Sequence, residues 1–264
     1  MIDSDSQPAP NEKNENLITA PDQAPQGLIA PVWHTVIIVA VILLNSYASR
    51  PTPTPFSVSG RERLLTYGVT FVIQTVLILF IWFGIARKGV RLRELIGGRW
   101  AKPEDVLIDV GIAVGFWIVS STLRIVIAIA LHLIDIHNLQ EQMTRMKQAN
   151  APVAPQSGVE LALFLVLVIF AGVFEEIIFR GYLQRQLGAL TRNIWAGVVL
   201  SAIVFGAGHG YQGARFMVLI GIWGAMFGVL AVLRKNLRPG MIAHTGQDAF
   251  SGIALFVMTR NGML

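Results

Sequence analysis

The chain contains no cysteine, which excludes disulfides and thiolate metal sites and leaves the redox compartment unspecified. Charge is scarce: 14% of the 264 residues are charged, against roughly 25% in a typical soluble domain. No internal repeat is visible, so the two-fold architecture of many transporters is not expected. The His-Glu-x-x-His motif of zinc hydrolases is missing, as are the Glu-x-x-His pairs of di-iron bundles. The first 30 residues lack an apolar core and do not read as a secretory signal peptide. Rich in Pro, Asn, Gln and Asp, they are expected to form a disordered acidic tail.

What the chain has in abundance is apolar sequence, 53% of its residues. Stretches of about 20 apolar residues are long enough to span a bilayer as helices. Seven are read, at about 32–48, 64–85, 106–133, 159–183, 194–208, 216–233 and 239–258. The expected fold is all-α: a polytopic transmembrane helix bundle of about seven spans, or eight if a segment is split or re-entrant. Four regions are expected: a cytoplasmic tail (1–30), three N-terminal spans (31–134), a polar connector (135–157) and a core of four spans (158–264).

The net charge of +5 does not point to nucleic acid, because the basic residues sit in loops between spans. Arg87, Lys88, Arg91, Arg93, Arg99 and Lys102 follow the second span. Such a cluster holds a loop on the cytoplasmic side and touches anionic lipid. Lys and Arg are more numerous in the tail and the loops after spans two, four and six than on the other side. The N-terminus is therefore expected in the cytoplasm; the side of the C-terminus depends on the span count. The compact chain and short loops suggest an integral protein of a bacterial inner (plasma) membrane, with membrane lipid as its surroundings.

Polar residues inside the core spans are the functional candidates, since an intramembrane charge costs several kcal/mol, by order of magnitude, unless it is paired, hydrated or functional. Glu175, Glu176 and Arg180 follow a run with nothing polar from Leu161 to Phe170. Glu176 and Arg180, four apart, share a helix face and can pair, whereas Glu175 is turned away by about 100°. A partly buried glutamate beside an imidazole is a suitable general base for water. The plainer alternative is that both glutamates pair with Arg180, Arg185 or Arg192. Phe205 and His209 follow, then His244 and Asp248, again at helical spacing. Either histidine alone is read more simply as a satisfied polar residue, or as half of an orienting His–Asp pair. Together they suggest a convergent water-activating site. Gly206 with Gly210, and Gly224 with Gly228, are read as close-packing positions, and Gly208 and Gly210 as a break in the helix beside His209. His34 and His132 are expected at the membrane interface and His137 in the connector. Asp109 is expected to reach water near the cytoplasmic edge, and Arg124 to snorkel or pair. Two imidazoles and one or two carboxylates among Glu175, His209, His244 and Asp248 would also satisfy zinc.

In this order and spacing, Glu175-Glu176-x-x-x-Arg180, Phe205-x-x-x-His209 and His244-x-x-x-Asp248 resemble the three motifs of the CPBP intramembrane proteases. These are the CAAX-prenyl endopeptidase and bacteriocin-processing (Abi) group. The resemblance covers about 158–260, and Phe179-Arg180-Gly181-Tyr182-Leu183 extends the first motif. It implies an intramembrane endopeptidase with a cavity open toward the cytosol, cutting a peptide or protein substrate near the cytoplasmic leaflet. Glu175 and His209 would activate the water, His244 and Asp248 would stabilise the oxyanion, and Glu176 and Arg180 would orient the site. The last motif often ends in Asn, and an ionised Asp248 cannot donate a hydrogen bond. Protonated Asp248 would donate itself; ionised, it would orient His244 or ligate a metal. Relatives have been regarded both as metalloproteases and as metal-free glutamate proteases, so zinc and no cofactor are both open. The alternative function is a non-catalytic membrane binding protein in bacteriocin immunity or envelope maintenance; a transporter comes third.

Overall fold

The computed structural model describes residues 27–49, 58–131 and 138–261. Its elements are α1 (Val32–Ala48), α2 (Gly60–Ala86), a short α3 (Leu92–Ile96), α4 (Pro103–Ala130), α5 (Leu139–Asn150) and α6 (Gly158–Glu175). A π-helical segment (Glu176–Leu183) runs on from α6 into α7 (Gln184–Thr191). α8 (Ile194–Gly208), a 3-10 turn (Gly210–Gln212), α9 (Ala214–Arg234) and α10 (Arg238–Arg260) complete the chain. Among the described residues there is no strand.

Each of the seven apolar segments coincides with a helix over most of its described residues. Among the described residues, four helical stretches are long and apolar enough to cross a membrane: Gly60–Ala86, Pro103–Ala130, Gly158–Thr191 and Ala214–Arg234. Val32–Ala48 and Ile194–Gly208 are shorter apolar helices, and α10 carries His244, Gln247 and Asp248 within its length. Large apolar side chains on the outer faces, such as Leu65, Leu107 and Val166, are more than half exposed and suit contact with lipid. Backbone groups are satisfied inside each helix, as a bilayer requires. The ends are capped where the chain supplies a group: Ser59 and Glu62 form a capping box on α2, Ser157 caps α6, and Asn193 caps α8.

Cross-links between helix ends define two ends of the bundle. At one, Arg234 pairs with Asp109 at 3.3 Å, Arg238 donates to the carbonyls of Gly97 and Gly98, and Arg185 donates to those of Glu94 and Leu95. This end carries the basic loops. At the other, Arg63 and Glu160 form a buried bidentate pair at 2.8 and 3.1 Å, and Ser46 donates to the carbonyl of Ala207.

Several expectations change. Asp109 is buried rather than water-facing, because Trp100 and Arg234 both donate to it. His34 is not interfacial: it is fully buried, stacked on Phe80 at 4.0 Å, and bonded to the Phe80 carbonyl and the Tyr182 hydroxyl. The tail expected to 30 falls mostly outside the described residues, but Ile29 and Ala30 are docked, their N–H groups donating to Gln186 Oε1. His132 and His137 lie outside the described residues. The polar connector contains a helix, α5.

Candidate functional site

Glycines set how closely the helices approach. A side chain on Gly206 would meet the Met217 carbonyl and Gly221 of α9, and one on Gly172 would meet Thr245 of α10. Gly224 and Gly240 make room for the ion pair itself, since a Cβ at Gly240 would lie 3.0 Å from a Glu176 carboxylate oxygen. The expected pairing of Gly206 with Gly210 is different in detail: Gly210 faces Ser46 of α1.

Glu176 is buried and tied on both sides. Arg180 Nη1 donates to its Oε1 at 2.9 Å, and His244 Nδ1 lies 3.0 Å from the same oxygen. Arg180 also donates to the Gly224 carbonyl and lies over the rings of Phe205 and Phe227, 4.5 and 5.1 Å from their centroids. This is an enclosed charge pair in which each partner has a second hydrogen bond, Glu176 to His244 and Arg180 to the Gly224 carbonyl, the condition under which such a pair is tolerated. The expected i,i+4 contact forms even though residues 176–183 are π-helical rather than α-helical, and such wide turns recur at functional sites.

Among the described residues, Glu175, one residue earlier, forms no ion pair with Lys or Arg. Its side chain is 19% exposed, with Oε1 accepting from Gln74 at 2.9 Å and Oε2 standing 3.6 Å from His244 Nε2. Asp248 Oδ2 is 3.8 Å from the same nitrogen. With Nδ1 committed to Glu176, Nε2 is the atom of His244 that faces the site.

α8 ends at Gly208, and His209 caps it with non-helical angles, as the glycines led us to expect. His209 Nδ1 donates to the Phe205 carbonyl at 2.8 Å, which leaves Nε2 free to accept. Phe205 thus serves twice: its carbonyl fixes His209, and its ring packs 4.8 Å from His209 and 6.0 Å from His244. Glu175 and His209 line one cavity of about 210 Å³. It lies between α1 (Val41, Ile42, Asn45) with its C-cap Ser49 and α2 (Thr66, Thr70, Ile73, Gln74, Leu77), beside Pro152 and Val153 of the connector. His244 and Asp248 are not in its lining; Asp248 is near enough to interact electrostatically with Glu175, His209 and Arg124.

Three residues escaped the sequence reading. Gln74 is buried on α2 with its Oε1 unpaired. Tyr211 lines the cavity. Trp223 packs on His244 at 5.2 Å, beneath Arg124, with its indole N–H unpaired. Gln74 was detectable as a lone amide in an apolar span; Trp223 and Tyr211 carried no such signal.

The metal reading fares differently. Among the described residues no group of three or more His, Asp or Glu side chains is arranged to hold an ion. Nδ1 of each histidine is hydrogen-bonded, to the Phe205 carbonyl or to Glu176, which leaves Nε2 as the nitrogen through which either would hold a metal.

A helical membrane bundle with two glutamates and two histidines converging beside a polar cavity defines the class. Residues 157–250 match the family model for Rce1-like proteins, described as type II CAAX prenyl endopeptidase Rce1-like. The matched segment is the one that carries the three motifs resembling the CPBP family. No curated protein and no solved structure matches the chain.

Proposed function

We propose that this protein is an intramembrane endopeptidase in which Glu175 is the general base. The observation carrying the reading is the contrast between two adjacent carboxylates: Glu176 is consumed by Arg180 and His244, while Glu175 faces a cavity shared with His209. A water held between Glu175 and the free nitrogen of His209 loses its proton to Glu175 as its oxygen attacks the peptide carbonyl. The resulting oxyanion accepts from Nε2–H of His244 in its doubly protonated form, and from Asp248 if that carboxyl is protonated. Donors placed where charge develops contribute several kcal/mol, by order of magnitude, in a site poor in water. The proton held by Glu175 passes to the leaving amine as the C–N bond breaks. Glu176 and Arg180 act through His244, as positioning residues.

The test compares new peptide N-termini in membranes from cells making wild type or Glu175→Ala at matched levels. Termini found only with wild type are the expected result and would name the substrates. Equal termini from both, with both proteins folded, would overturn the assignment and favour a non-catalytic binding role.

A further inference from the structure

The cavity and the basic loops lie at opposite ends of the bundle. Of the lining residues, Asn45 and Ser49 are exposed; Ser49 caps the C-terminus of α1, and Thr66 lies in the second turn of α2. Ser49 and Thr66 both belong to the end marked by the Arg63–Glu160 pair and by the Ser46 bond to the Ala207 carbonyl. On the other side of Glu175 the bundle is solid. His34 clamps α1 to α2 through the Phe80 carbonyl, and Ile81, Ile85, Leu95 and Tyr182 show no exposed surface. Beyond that floor come the loops with Arg87, Lys88, Arg91, Arg93, Arg99 and Lys102. Basic loops of this length are retained in the cytoplasm. A cytoplasmic N-terminus and a cavity open to the cytosol are therefore mutually exclusive in this fold.

Resting on the peptidase reading, we propose that the site opens to the side of the membrane opposite the basic loops and takes an extended peptide segment presented outside the cytoplasm. The mouth offers uncharged hydrogen-bonding groups, Asn45, Ser49, Thr66 and Thr70, between apolar walls. That lining suits a peptide backbone entering as an extended strand between α1 and α2. A prenylated C-terminus on a cytosolic protein, the substrate implied by the family's label, meets the sealed face.

Absence of native cysteine makes the test direct. Single variants Ser49→Cys and Lys88→Cys, both at exposed positions, are made in the full chain and treated in intact bacterial spheroplasts with a membrane-impermeant maleimide. The proposal expects label on Ser49→Cys in intact spheroplasts and on Lys88→Cys only after permeabilisation. The reverse pattern, label on both before permeabilisation, or a Ser49→Cys that stays unlabelled after it, would each overturn the proposal. Repeating the labelling in a Glu175→Ala background separates sidedness from catalysis, because the pattern does not depend on cleavage.

Discussion

Glu175 and Glu176 are chemically identical neighbours whose surroundings give them opposite properties. Glu176 sits among a guanidinium, an imidazole and the space left by Gly240. Removing it leaves the Arg180 charge enclosed and unpaired, a loss of about 3–5 kcal/mol. Glu175 is held by one amide, Gln74, whose own Oε1 is buried without a partner, so truncating Gln74 removes one bond and one orphaned acceptor with little net change in stability. The two single variants should therefore separate. Glu176→Ala should lower the melting temperature in detergent and the expressed yield together. Gln74→Ala should melt near wild type while cleavage falls by roughly 10–100-fold. Equal melting temperatures for Glu176→Ala and wild type would remove its structural role, and full activity in Gln74→Ala would remove the positioning of Glu175.

Elements contribute through where they end and how they join. α8 stops at Gly208 because His209 departs from helical angles, which brings the imidazole to the cavity instead of burying it along a helix face. The π-helical stretch carries Arg180 back to Glu176 and Tyr182 across to Thr35 and His34 on α1. Far from the site, Arg63 on α2 and Glu160 in the first turn of α6 form a buried two-pronged bridge. Glu160→Ala strands the guanidinium of Arg63, and a loss of about 3–5 kcal/mol is expected. Thermal unfolding in detergent should shift down, whereas the double variant Arg63→Met/Glu160→Met should recover much of the loss, since no charge is left unpaired. A double variant as unstable as Glu160→Ala would show that packing, not charge, holds this joint.

On the scale of the molecule, α1 and α2 are joined to the last four spans through buried polar groups. α1 supplies partners for Tyr182 and Ala207, α2 supplies those for Glu175 and Glu160, and the segment before α1 supplies those for Gln186. Expressed alone, 157–264 would lose all of these and expose buried polar groups to lipid, each costing several kcal/mol, by order of magnitude. It should aggregate in detergent or melt without cooperativity, as judged by size-exclusion chromatography and thermal unfolding. A monodisperse, cooperatively melting fragment would show that the core folds unaided.

The three motifs, the all-helical class and the helix break at His209 were legible from residue type and spacing, because hydrophobic runs, i,i+4 geometry and glycine act locally along the chain. Spacing also separated Glu175 from Glu176, since adjacent residues on a helix cannot share a face. What no local pattern carried was which groups from distant helices meet: Gln74 on Glu175, Trp223 on His244, His34 on Tyr182. The end at which the cavity opens belongs to that second set as well. A cavity is what remains where helices fail to touch, so only the packing of α1, α2 and the core against one another decides it.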